Sequence, residues 1–561
     1  MSDAPVLSAA VPGQTAPFDV GFRRFLRWVV GLGLLAILAS TAGTVVSAWR
    51  GMPASPGQWY GLEDDAYYYL VTAKHAVRGD GMTFDGFAPT NGFHPLWMMV
   101  TMAVVRIVGL ERSLHVQAAA YAAAAMLPLL VAAALCARQV LSPPASDDPR
   151  SLAFLGVLLA LALPETGYVC MVGLESGLLV CLLVLTLQGY VFERPAWLRV
   201  LLPLVFLTRI DSPLWLAPLI LHETWRAGTW RKRAALILPL AAVMAATGAY
   251  NAITTGGVLP IHAVLTSTFP VPSPRWYLVT ARLAQGLRTF TFANLCSLPV
   301  VAGIATWLWV RSRRASRPEG ATWVLMFILA GTISLLLLLF FRKWAKPPSV
   351  WHFTPAMVLL GAAIVPLALR SLQRVVPSLT GPLALAVAVV ATGVSARNFR
   401  RSFTFDMAST HSLIRALRDA TPGPGRIAAT DCGYLAFWLD REIVNLDGLM
   451  NDRAYQRRLR DGKLDDYLGR AGVSYVLAVA VDARDPPPVE PMYRMIGENA
   501  PVVRATGDYA YSFFVYSYLY ETYSNTITFH RADEALRFPL NSGTHVFLFR
   551  WPRANAGTVS H

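Results

Sequence analysis

The sequence predicts an α-helical polytopic membrane protein carrying a C-terminal α/β domain outside the cytoplasm. Three observations predict it. Of 561 residues, 55% are hydrophobic and only 15% charged, against roughly 25% charged in an ordinary soluble domain. Windows such as Trp28–Ala48, Ala234–Tyr250, Thr322–Phe341 and Pro382–Ser395 carry few or no charges, and a bilayer core needs about 20 such residues per helix. From Ala396 to His561 the chain turns polar and offers no further spanning segment.

The elements follow in order. Residues 1–27 form a polar, cytoplasmic tail, and residues 28–395 form the membrane module. The first span is too long for a signal-peptide core and lacks a small-residue cleavage site, so it is expected to stay as an anchor. Residues 49–94 make a long first loop, and residues 396–561 make the separate domain. The net charge of +15 gathers in short connectors: Arg23, Arg24 and Arg27; Arg226, Arg231, Lys232 and Arg233; Arg311, Arg313, Arg314 and Arg317; Arg370 and Arg374. Such clusters mark cytoplasmic loops, which places the first loop and the C-terminal domain outside. The charge is topological, so the partner it implies is the lipid bilayer and not nucleic acid. An inside start and an outside end require an odd number of crossings, here 11 or 13. Pro95–Ala137 and Leu201–Leu221, the latter interrupted by Arg209 and Asp211, are where the count is ambiguous. Cys136, Cys170, Cys181, Cys296 and Cys432 are scattered without metal spacing and read as free thiols.

In the C-terminal region Arg426–Thr430, Glu442–Leu446, Ser474–Val479 and His545–Trp551 read as strands. Asp452–Arg470 reads as a helix burying Tyr455, Leu459, Leu464 and Leu468. Gly423 and Gly425 precede a strand, whereas a dinucleotide loop needs its glycines after one, so that motif is rejected.

The first loop holds the densest chemistry. Ala66, Tyr69, Leu70, Ala73, Ala76 and Val77 share one face at helical spacing, Lys74, His75 and Arg78 sit at the C-terminal end, and Gly79 stops the helix. The pattern is amphipathic and suits a helix lying on the membrane surface. Glu63, Asp64 and Asp65 stand at its start. A capping role explains one acid well and two tolerably; three exceed what a cap requires. Downstream, Asp85, Asn91 and His94 lie on a turn-rich path through Gly86, Pro89 and Gly92, and Pro95 opens the next span. Asn91 and His94 read first as turn and interface residues.

The chain resembles the GT-C superfamily of membrane glycosyltransferases, particularly bacterial relatives of the lipid A aminoarabinose transferase and of protein O-mannosyltransferases. The resemblance rests on the first-loop pair Asp64-Asp65, the following Ala66-Tyr67-Tyr68-Tyr69, and the Thr90-Asn-Gly-Phe-His-Pro-Leu-Trp97 entry into the next span. Val172-Gly-Leu-Glu-Ser176 and Ile443-Val-Asn-Leu-Asp-Gly-Leu-Met-Asn451 match as well. Leu207-Thr-Arg-Ile-Asp-Ser212 departs from the usual Arg-Pro-Asp-Gly form.

The resemblance implies a GT-C fold in a bacterial inner membrane and inverting transfer of a sugar from a polyprenyl-phosphate donor to an extracytoplasmic glycan, lipid or protein acceptor. Such a donor carries its own charged leaving group, so the site needs a base for the incoming hydroxyl and cations for the departing phosphate. Asp64 or Asp65 supplies the base. Glu63, Tyr68, Asn91, His94 and Glu175, the last near the outer start of a span, are candidates for substrate contact, as are Arg342, Lys343 and Lys346, three cations on the outer side against the positive-inside bias, where Lys and Arg also routinely anchor span ends. Two adjacent acids could hold a divalent cation, yet no His or Cys completes a ligand set, so no metal ligand is assigned. The competing classes are a transporter or lipid-carrier flippase, which the lack of a clear inverted repeat disfavours, and a ligase moving whole oligosaccharides from a pyrophosphate carrier. Asp447 and Asn451 lie in a loop after a strand, where the C-terminal domain could bind the acceptor or serve equally as a structural lid or packing element.

Overall fold

The computed structural model describes residues 20–51, 61–142, 149–162, 172–272, 322–341, 350–375, 408–481, 504–505, 510–517, 522–541 and 544–552, with isolated positions at 386, 389 and 393. The N-terminal helix α1 runs Val20–Trp49. Across the first loop come α2 (Asp64–Arg78), α3 (Pro95–Val108) and α4 (Leu114–Leu141), then α5 (Pro149–Ala162). Next are α6 (Ser176–Val191), α7 (Pro195–Thr208), the short α8 (Ser212–Trp215) and α9 (Ala217–Arg226). The module continues with α10 (Trp230–Thr255), α11 (Ile261–Thr266), α12 (Thr322–Phe340) and α13 (Thr354–Val375).

Four helices among the described residues are long and apolar enough to cross a bilayer, and five shorter apolar helices accompany them. The expected 11 or 13 crossings fall partly on residues outside those described. Both ambiguous places resolve as breaks: Gly109 ends α3 before α4 begins, and Arg209 separates α7 from α8. Close helix approaches rest on small residues, as lipid-embedded packing requires. A Cβ at Gly156 would meet the Gly361 carbonyl, and one at Gly177 would meet the Ala125 carbonyl. These contacts bring α5 against α13 and α6 against α4.

The C-terminal domain opens with α14 (Ala408–Ala420) and continues β1 (Arg426–Ala429), α15 (Gly433–Leu439) and β2 (Ile443–Asn445). Helices α16 (Arg453–Arg460) and α17 (Leu464–Arg470) lead to β3 (Val473–Val481). Strands β4 (Arg504–Ala505), β5 (Ala510–Ser517), β6 (Thr522–His530), β7 (Glu534–Asn541) and β8 (Thr544–Arg550) finish it. One sheet has the order β2-β1-β3-β8-β7, and β4-β5-β6 form a second. In the first sheet β1 pairs parallel with β2 and β3, while β8 is antiparallel to β3 and β7. All four strands expected from the sequence form. The expected helix over 452–470 is two, because Gly462 adopts a positive φ of 67° between them, and its four apolar anchors are buried as expected.

Parallel strands carry their ligand-facing loops at their carboxyl ends. Here those loops are Thr430–Cys432 after β1 and Leu446–Asn451 after β2, and both turn toward the first loop of the membrane module.

Candidate active site

Helix α2 forms where the periodicity places it, with Gly79 in the left-handed conformation donating to the His75 and Ala76 carbonyls. Its setting differs from the expectation. Every residue from Ala66 to His75 is buried, so the helix is enclosed by protein and presents no broad apolar face to lipid. Its apolar face packs on the membrane module, and the opposite face, rich in Tyr, is covered by α15. Tyr67 packs edge-on against Tyr434 and Trp438 and at a tilt against Phe437, at ring-centroid distances of 5.3, 6.5 and 5.2 Å. A polar-looking face became an interdomain interface because tyrosine rings are apolar bodies with one polar tip.

The acidic pair divides. The Asp64 carboxylate accepts from the Gly433 and Tyr434 amides at 3.2 and 2.7 Å, capping α15 of the other domain. Burial and then Asp431 push its pKa up, against those two amides. Asp65 is half-buried, and among the described residues no donor reaches its carboxylate. Burial first, then Glu63, Asp431, Asp447 and Glu175, push it up to about 8.

The neighbours are placed by buried polar strings. The Glu63 amide donates to the Val172 carbonyl at 3.0 Å. The Trp97 indole donates to the Tyr121 hydroxyl at 3.0 Å, which donates to the Gly173 carbonyl. Gly173 has φ +83°, and a Cβ there would run into Leu62 and Ala66. The following Glu175 is 4% exposed, its Oε1 3.5 Å from His94 Nε2. Burial pushes Glu175 up to about 7, eased by Arg209. Burial, with Arg209 next, pushes His94 down to about 3, so its imidazole is neutral. His262 lies beside it, with ring centroids 5.0 Å apart. Arg209 and Asp211 pair with each other through Nε and Nη2 at 3.0 and 3.2 Å.

Two sequence candidates are committed elsewhere. The Tyr68 hydroxyl donates to Asp447 Oδ2 (3.3 Å) and accepts from the Cys432 amide (3.1 Å) and Asn445 Nδ2 (3.0 Å). One donor and two lone pairs are all a hydroxyl has, so Tyr68 joins domains instead of offering itself to a substrate. Asn91 donates to Asn251 and Thr255 and accepts from the Ile261 amide, tying the loop to α10 and α11. It is an interface residue, as its turn-rich setting suggested. Asp85 accepts from Thr83 and from the Phe87 and Ala88 amides, which makes it a turn residue. Arg342, Lys343 and Lys346 lie outside the described residues, as do Cys170 and Cys296; Cys136, Cys181 and Cys432 are free and buried.

Sequence reading missed Asp431, which faces both acids from the β1–α15 turn with φ +38°, a conformation rare outside glycine. The signal was a strand followed by Thr-Asp-Cys-Gly at a helix start. Asp447 accepts from Tyr68, Asn445 and the Asp431 and Leu449 amides, and Asn451 donates to the Tyr467 hydroxyl. Among the described residues no three His, Cys, Asp or Glu side chains are grouped to hold a metal ion.

Apolar helices, an acid-bearing first loop and an α/β domain seated on it define a polytopic membrane protein of the GT-C fold. A solved structure shares the fold. ArnT from Cupriavidus metallidurans bound to undecaprenyl phosphate superposes with a TM-score of 0.50 at 14% identity, covering 93% of this chain and 98% of that one. The same protein in the apo state gives a TM-score of 0.47 at 16% identity, over 81% and 92% of the two chains. Residues 398–516 match a family described as a domain of unknown function, DUF8728. No curated protein matches the sequence.

Proposed function

We propose that the chain is an inverting membrane glycosyltransferase that takes its sugar from a polyprenyl-phosphate donor, with Asp65 as general base. The observation that carries this is the division of the acidic pair: Asp64 is occupied by two amides of the C-terminal domain, and the Asp65 carboxylate is not. The shared fold with a protein solved bound to undecaprenyl phosphate supports the donor class.

The chemistry is one displacement. Asp65 accepts the proton of an acceptor hydroxyl as that oxygen bonds to the anomeric carbon. The bond from that carbon to the phosphate oxygen breaks, and the polyprenyl phosphate leaves with the electron pair. A base works best with a pKa near the working pH, and burial first, then the surrounding acids, push Asp65 up to about 8. A ring of carboxylates repels a phosphate, so the leaving group is placed away from Glu63, Asp431 and Asp447. The sequence's candidate cations for it are Arg342, Lys343 and Lys346, which follow α12 in the chain. Glu175 and the neutral His94 are placed to hydrogen-bond sugar hydroxyls.

The test is transfer by purified protein in proteoliposomes supplied with undecaprenyl-phosphate-linked sugars and mixed envelope glycans and lipids. Asp65→Asn should fold and bind the donor but lose transfer by about 10³-fold, the scale of a lost general base. Full transfer by Asp65→Asn overturns the base assignment; donor translocation without glycosidic product favours the flippase reading.

A further inference from the structure

The described parts of the first loop meet the C-terminal domain at several points. At its start the Tyr434 hydroxyl donates to the Gly51 carbonyl at 2.9 Å. At the head of α2 the Asp64 carboxylate caps α15, and one turn on the Tyr68 hydroxyl joins the Cys432–Asn445–Asp447 cluster. Near the end of α2 Lys74 Nζ meets Asp440 at 2.6 Å and lies 5.4 Å from the Phe437 ring centre. Helices α2 and α15 therefore run side by side in the same sense, joined at head, middle and tail. Farther along, Arg426 donates to the Asp85 carbonyl at 3.1 Å and Phe87 packs edge-on against Tyr467.

The fit is close enough to exclude a methyl group. A Cβ at Gly433 would collide with the Asp64 carbonyl and crowd the Tyr68 amide, and one at Gly92 would collide with the Leu449 carbonyl. Backbone-to-backbone contact of this kind fixes position more tightly than side chains alone, since nothing in it can rotate away.

We propose that the C-terminal domain, including the stretch that matches a family of unknown function, is the positioning element of the active site. It fixes α2, and through it Asp65, with Asp64 and Tyr68 as positioning residues. The proposal rests on the preceding assignment of Asp65 as base, but the geometry it asserts can be read without any transfer assay.

The experiment is hydrogen exchange on the full chain in lipid nanodiscs, with transfer measured in parallel on the same variants. Tyr68→Phe and Gly433→Ala should raise exchange of the 64–78 amides by about tenfold or more, while α4 keeps its protection. Transfer should fall about tenfold in kcat with the donor KM unchanged, the pattern of a misplaced catalytic group. Asp64→Asn, which keeps a good cap, should restore most of the protection that Asp64→Ala loses. Asp65→Asn should leave exchange unaltered and lose transfer. Wild-type exchange over 64–78 in both Tyr68→Phe and Gly433→Ala overturns the positioning role. Should Gly433→Ala fail to fold, Tyr68→Phe decides alone. Transfer retained by Asp65→Asn overturns the base and leaves the positioning result standing.

Discussion

Replacing Tyr68 by Phe removes one oxygen atom from an interface between two domains, and its cost can be worked from the hydrogen bonds lost. The Cys432 amide donates to that oxygen inside the protein. An orphaned buried donor costs about 1–3 kcal/mol. Asn445 keeps its bond to Asp447 Oδ2 at 2.9 Å, so its loss is partial. Asp447 retains Asn445 and two amides when the phenol goes. One full orphan and two weakened bonds sum to about 2–3 kcal/mol. For a unit the size of the C-terminal domain this lowers Tm by about 5–10 °C. Thermal unfolding in detergent, followed by tryptophan fluorescence with Trp438 packed against Tyr67 of α2, measures it. A Tm within about a degree of the wild type would show that the hydroxyl cluster does not join the domains.

Other expectations concern single side chains. Lys74 is 5% exposed and its partner Asp440 55%. Asp440→Asn should therefore cost about 2 kcal/mol or more by stranding a buried ammonium. Lys74→Met, which strands only a solvated acid, should cost below about 1 kcal/mol in the same assay. Gly173→Ala should lower Tm and transfer together, because the position has positive φ and its Cβ would meet Leu62 and Ala66. The kcat/KM of transfer should rise with pH through about 8, since a base must be unprotonated and Asp65 is held up to about 8 by burial and the acids around it. A profile flat from pH 6 to 9 contradicts that assignment.

The membrane module was legible in the sequence because hydrophobic windows and basic connectors are local signals. The strands β1, β2, β3 and β8 were legible for the same reason. The acid pair and its helix were found as well, down to the Gly79 stop. The division of labour between Asp64 and Asp65 was not legible, because it depends on the amides of Gly433 and Tyr434, some 370 residues away in the chain. Tyr68 and Asn91 were read toward substrate for a similar reason: a polar side chain in an outer loop looks available until its distant partners are in place. Helix α15 escaped notice because its seven residues are too few to show a period. The β4–β7 strands mix polar and aromatic residues without strict alternation, so no half-buried strand pattern stood out.

The measurement that bears most directly on the proposed function is a mass balance in proteoliposomes carrying undecaprenyl-phosphate-linked sugars and envelope acceptors. Release of free undecaprenyl phosphate, matched one for one by sugar on the acceptor and abolished by Asp65→Asn, is the predicted result. Movement of the intact lipid-linked sugar across the bilayer with no released undecaprenyl phosphate would contradict it.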